Sequence, residues 1–160
     1  MIKPIITDLE YLRQKSGLVI TTSYAVERLV VDLRDTMAAH NGVGLSAVQI
    51  GVPLRVAVIL TPMGVASIIN PRVVQVSEKM ETDYEGCLSI PDTMVAVPRF
   101  YAIEIRALTE YKKPSKPHLV GLKGTVARIV QHEMDHMDGK LIIDYLKSAG
   151  ESPIQPQQET

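Results

Sequence analysis

The chain has 160 residues, 46% hydrophobic and 22% charged, with a net charge of −1. That length suits one domain whose core folds without covalent staples, and the near-neutral charge offers no footprint for nucleic acid or an anionic membrane. Cys87 is the only cysteine, so an internal disulfide is excluded, and no apolar run is long enough to cross a bilayer. A cytoplasmic protein with one domain over residues 1–147 is the expectation.

Residues 1–20 combine breaks at Pro4 and Gly17 with apolar anchors at Leu9, Leu12 and Leu18, which predicts an irregular arm wrapping the domain. Thr21, Thr22 and Ser23 then offer N-cap hydroxyls. Val26, Leu29, Val30, Leu33 and Met37 follow at helical spacing and predict an amphipathic helix, ending where Asn41 and Gly42 suit a left-handed cap. In Gly42-Val43-Gly44-Leu45-Ser46-Ala47-Val48-Gln49-Ile50-Gly51, glycines two apart let the backbone pass close to a neighbour or a ligand. A phosphate loop is rejected, because its lysine and its preceding strand are missing. Gln49 sits among small and apolar residues, so its amide must either cap a turn or face a polar site.

From residue 53 the pattern turns strand-like. Strands are predicted over Leu54–Leu60, Ala66–Ile69, Val73–Val76, Met94–Pro98 and Tyr101–Leu108. Ile103 and Ile105 alternate with Glu104 and Arg106, as in an antiparallel sheet with one buried face. Asp83–Pro91 reads as a turn region that sets the Cys87 sulfur on irregular backbone, and Lys112–His118, with two prolines, reads as a loop. Lys112, Lys113, Lys116 and Lys123 read as a solvated patch. Gly124 or Thr125 opens a second strong helix, striped by Val126, Ile129, Val130 and Met137 and stopped by Gly139. Leu141–Tyr145 is predicted as a last strand, and 148–160 as a disordered tail. The fold class expected is α+β: small antiparallel or mixed sheets packed around the second helix, with one further long helix toward the N-terminus.

The chemistry lies in Gln131-His132-Glu133-Met134-Asp135-His136. On a helix, about 100° per residue puts His132 and His136 on one face, where both imidazoles reach one divalent metal. Glu133 beside them is the acid of an H-E-x-x-H pattern, a general base toward a metal-bound water. A hydrolytic site of this kind takes three protein ligands and keeps a fourth position open. His40 and His118 lie in segments better explained as a surface turn and a loop, which leaves Cys87 as the third ligand. A thiolate with two imidazoles admits iron as well as zinc.

Three stretches together, Gly42–Gln49, Glu85-Gly86-Cys87-Leu88-Ser89 and Gln131–His136, resemble the three motifs of peptide deformylases in the family's order and spacing. Asn70-Pro71, Ile90-Pro91, Val97-Pro98-Arg99, Ala127-Arg128 and Asp138-Gly139 add to the match, which covers roughly residues 1–147. The resemblance implies a metal-dependent hydrolase that removes the N-formyl group from the initiator methionine of nascent polypeptides and releases formate. Cys87, His132 and His136 would hold Fe2+, with Zn2+, Ni2+ or Co2+ able to substitute. Glu133 would act as base and then acid, and the Gln49 amide and Leu88 N–H would stabilise the oxyanion. Val43, Gly44, Leu45, Ile129 and His132 would bind the peptide and its methionine side chain. Asp135 faces away from the metal and reads as an orienting partner, Arg99 being its candidate.

The chain departs from the family pattern at Ser46 (usually Ala), Val48 (usually Pro), Met94 (often Arg) and Thr125 (usually Leu). The C-terminal helix that many bacterial members use for ribosome docking is not evident, so ribosome association by that route is not carried over. The rivals are an H-E-x-x-H metalloprotease and a non-catalytic metal-binding homologue, beside a structural zinc module, for which there is no second cysteine to close the site. The Cys87 ligand and the Gln49 loop argue against the first, and the intact Gln49, Cys87, His132, Glu133 and His136 against the second.

Overall fold

A five-stranded antiparallel sheet with one helix on each face frames the molecule, and a two-stranded hairpin packs beside it. The computed structural model describes residues 1–21, 23–109 and 116–149. In chain order the helices and strands are α1 (Leu9–Leu12), α2 (Tyr24–Ala39), β1 (Gly44–Ser46), β2 (Val56–Thr61), β3 (Gly64–Val76), β4 (Met80–Cys87) and β5 (Ile90–Phe100). They continue with β6 (Ala102–Leu108), β7 (His118–Lys123), α3 (Gly124–Met137) and α4 (Asp144–Ala149). A 3-10 turn, Ala47–Ile50, follows β1. The large sheet runs β1-β2-β3-β6-β7, and β4 pairs with β5 alone. The α+β expectation holds; every strand pair is antiparallel.

The sheet is buried from both sides, which explains why Val56–Ile59 is apolar without alternation. Val56 and Val58 join Val26, Leu29, Val30, Leu33 and Met37 of α2 in one core. Ala57 and Ile59 join Ile103, Ile105 and Ala107 of β6 and Ala127, Ile129, Val130 and Met137 of α3 in another. The N-terminal arm holds the short α1 and is pinned by Asn70, whose amide accepts from Val19 N (2.9 Å) and donates to Val19 O (2.8 Å). Asn41 adopts the expected left-handed conformation after α2 (φ 52). Gly139 does so after α3 (φ 75), and a Cβ there would meet Arg13 O at 2.2 Å.

Five segments differ from expectation. Ala66–Ile69 and Val73–Val76 belong to one strand, β3, which passes Pro71 through a register shift between Ile69 and Arg72, the kind of irregularity where proline is tolerated. Asp83–Cys87 lies within β4 rather than in a turn, with a register shift between Glu85 and Cys87. His118–Lys123 is the edge strand β7, where a loop was expected up to His118; residues 110–115 of that loop lie outside the described residues. Leu141–Tyr145 is a turn leading into α4 instead of a strand. Ser148 and Ala149 of the expected tail close α4, and 150–160 lie outside the described residues.

Candidate active site

Helix α3 carries His132 and His136 one turn apart, their ring centroids 5.0 Å from each other. Strand β4 ends on Cys87, and the register shift before it re-aims the side chain toward the helix, as bulges commonly do. The Cys87 sulfur lies 3.2 Å from His136 Nε2, and the ligand atoms of Cys87, His132 and His136 all fall within 4.8 Å of one another. Glu85 Oε2 is 3.0 Å from His132 Nδ1, so Nε2 is the nitrogen left for the triad. One sulfur and two imidazole nitrogens at this spacing fit a divalent metal, and three donors leave a fourth position.

Glu133 is 3% exposed, and its Oε2 has no hydrogen-bond partner among the described residues. Burial pushes its carboxyl up to about 7, against the opposing pull of the His132 charge. Burial lowers the His132 imidazole, but hydrogen bonds to Cys87 and Glu85 and the Glu133 charge outweigh it and hold it at about 10 when protein atoms alone surround it. Burial also pushes the His136 imidazole well below its usual range. Glu85 would be raised by burial, yet hydrogen bonds from Arg99 and His132 hold it at about 2, so it stays a carboxylate.

Gln49 answers the question its surroundings posed by doing both jobs. Its Oε1 accepts from Ser46 N (2.9 Å), which caps the 3-10 turn, while its Nε2 donates to Ser89 Oγ (3.1 Å) and points at the Cys87 sulfur (3.6 Å). Ser46, one of the departures from the family pattern, donates to Glu133 O (2.9 Å) and ties β1 to α3. Gly44 permits this approach: a Cβ there would lie 2.3 Å from Glu133 Oε1 and 2.9 Å from Ile129 Cγ2.

The site opens on a cleft of about 510 Å³. Val43, Gly44, Gln49, Cys87, Leu88, Ile129, His132 and Glu133 are on its wall, with Thr125 and Met94 among the further lining residues. Leu45 lies elsewhere: it is fully buried in the α2 core and does not line the cleft, although Gly44 of its strand does. β1 is an edge of the large sheet, so one side of its backbone is not paired by a strand among the described residues.

Sequence reasoning reached only part of the support behind the triad. Arg99 forks onto Glu85 through Nε (2.9 Å) and Nη2 (2.8 Å) and reaches Asp135 through Nη1 (2.5 Å). Arg128 adds a bond to Glu85 (2.8 Å). The Asp135–Arg99 pairing is the one suggested from helical geometry; the central part of Glu85 had no signal, because an acid in a polar strand looks like any solvated charge.

The sequence model of the polypeptide deformylase family matches residues 2–152. A peptide deformylase of Rhizobium meliloti (strain 1021) is 41% identical over 151 residues, covering 91% of this chain and 85% of that protein. The crystal structure of peptide deformylase from Ehrlichia chaffeensis superposes with a TM-score of 0.86 at 31% identity, covering 91% of this chain and 88% of that one. A Met-Ala-Ser-bound class I type b peptide deformylase from Acinetobacter baumannii gives 0.82 at 27% identity, covering 90% and 98%. The chain therefore belongs to the polypeptide deformylase family, metal-dependent hydrolases that remove the N-formyl group from the initiator methionine of new polypeptides.

Proposed function

We propose that Cys87, His132 and His136 hold the metal and that Glu133, Gln49 and Leu88 carry the chemistry of deformylation. The observation that supports this most directly is the convergence of the three donor atoms, with Cys87, His132 and the buried Glu133 on the cleft wall. A divalent ion bound there supplies Lewis acidity and brings a water's pKa down to about 7 in the best zinc sites. The mixed thiolate and imidazole set suits ferrous iron, our choice for the cell, and admits Zn2+, Ni2+ or Co2+.

Glu133 takes a proton from the attacking water as its oxygen joins the formyl carbon, then gives that proton to the methionine nitrogen as the C–N bond breaks. Formate and a free amino terminus result. A carboxyl held near pH 7 is matched to both transfers. The Gln49 side-chain N–H and the Leu88 backbone N–H stabilise the oxyanion; one such donor is typically worth about 3–4 kcal/mol of barrier. The peptide lies along the free edge of β1 as an added strand, contacting Val43, Gly44 and Leu45 through their backbone. The methionine side chain enters between Ile129 and His132. Met-Ala-Ser, the peptide in the Acinetobacter baumannii relative, is what N-formyl-Met-Ala-Ser becomes once formate has left. Nascent chains as substrates place the activity in the cytoplasm, and no described helix is long and apolar enough to cross a membrane.

Formate release from N-formyl-Met-Ala-Ser, by protein loaded anaerobically with Fe2+, tests the reading. Release is expected from the formyl peptide and not from its N-acetyl counterpart, with a loss of about 100-fold to 10,000-fold in Glu133→Ala. Wild-type rates in that variant would remove Glu133 from the proposed role.

A further inference from the structure

The bonds that fix Glu85 continue past Arg99 into the last helix. Arg99 Nη1 donates to Tyr145 Oη (2.9 Å) as well as to Asp135, and the Tyr145 hydroxyl donates to the same Asp135 oxygen (2.7 Å). Arg99 is 4% exposed, so little water reaches this cluster to replace a lost partner. Tyr145 stands on α4, whose surroundings, including Ile142 and Leu146, pack with Val95, Val97 and Cys87. Lys140 Nζ lies 3.7 Å from the Tyr145 ring centroid. The hydroxyl is thus held in place by packing and does not line the cleft.

We propose that the Tyr145 hydroxyl is a positioning group for the metal centre, acting through Arg99 and Glu85 on His132. The guanidinium is planar, so its orientation at Nη1 and its fork onto Glu85 are one geometric fact. Glu85 in turn selects the His132 nitrogen that faces the triad. Asp135, the shared acceptor, is three residues beyond His132 and one before His136 on α3. Tyr145 and Arg99 together therefore hold the histidine helix at a second point. This rests on the ligand reading given above.

The test uses Co2+ as the probe, in wild type, Tyr145→Phe, Asp135→Asn and the double variant. Co2+ affinity is measured by competition with a chelator, and the cobalt–thiolate absorption reports ligand geometry. Removing a direct outer partner of a metal ligand costs about 10-fold to 100-fold in affinity, so this more distant group is expected to cost about 3-fold to 10-fold. Tyr145→Phe keeps the ring, so the packing stays. Its cobalt band should shift, and KM for N-formyl-Met-Ala-Ser should not change. The double variant should lose less than the sum of the single losses in binding free energy, because both changes act on one cluster. Wild-type Co2+ affinity and an unshifted band in Tyr145→Phe, whatever its unfolding temperature, would overturn the proposal. So would strict additivity. Equal Co2+ binding by wild type and His132→Ala would instead remove the ligand reading, and this inference with it.

Discussion

Gly44 and Glu133 compete for the same space, which makes the glycine a matter of catalysis as well as folding. An added Cβ would overlap Glu133 Oε1 and crowd Ile129, and Glu133, being buried, has little room to yield. Gly44→Ala is expected to cost about 1–3 kcal/mol of stability through overpacking, but about 100-fold in kcat, as a misplacement near 1 Å does. Urea unfolding beside kcat separates the two, and an unchanged kcat would show that Glu133 moves freely. A second residue-scale expectation concerns pH. In the metal-free chain His132 is raised from 6.5 to about 10, so its stabilising contribution is complete below about pH 6.5 and is lost as pH rises toward 10. Glu133, raised from 4.5 to about 7, already withdraws support between those values. Thermal unfolding of metal-free wild type should therefore weaken between pH 6.5 and 10 more steeply than that of His132→Gln. Parallel curves would mean that His132 is not held charged. The residues whose types are rare in such surroundings were legible in the sequence: paired histidines with an acid, and an amide among apolar neighbours. Glu85 was not, because its work is defined by partners 14, 43 and 47 residues away.

At the scale of elements, the β4–β5 hairpin is joined to α3 through a buried ionic cluster. Arg99 on β5 meets Glu85 on β4 and Asp135 on α3, while Arg128 and His132 of α3 also reach Glu85. Arg99→Ala would take its guanidinium from Asp135 and leave the buried Glu85 with Arg128 and His132 alone, and breaking a buried pair in this way typically costs about 3–5 kcal/mol. Urea unfolding checks it; a cost below about 1 kcal/mol, usual for exposed pairs, would mean that water fills the gap. The same cluster explains why β4 escaped detection. Only Glu85 of its residues is buried, so the strand has no apolar alternation to read. β7 was missed for a related reason: four of its six positions are exposed, and Gly121 interrupts its short apolar run. The two long helices were legible because each covers a face of the large sheet, and that demand writes a period of 3.6 into the sequence. The turn before α4 looked like a strand because Leu141 and Ile142 are buried for packing against neighbours distant in sequence.

Across the whole molecule, the candidate metal site bridges its two sheets. Cys87 belongs to the small hairpin, while His132 and His136 belong to the helix that lines the large sheet's core. An ion bound to all three is bound by the folded state alone, so it adds stability as RT ln(1 + [L]/Kd). That is about 2.7 kcal/mol at 100 times Kd and about 4.1 kcal/mol at 1,000 times. For a chain of this size each kcal/mol moves the midpoint by about 2–4 °C, so stripping the metal at 100 times Kd should lower Tm by about 5–11 °C. The loss should also have a location. The hairpin is fastened by its ionic cluster and a small apolar group, whereas the large sheet is packed on both faces. Without the ion, opening of the hairpin becomes the cheaper excursion. Amide hydrogen exchange before and after chelation is expected to lose most protection in β4, β5 and the second half of α3, and least in β2. A Tm shift with equal loss of protection everywhere would mean that the ion supports only the global fold. No shift at all would mean that Cys87, His132 and His136 do not act together as ligands.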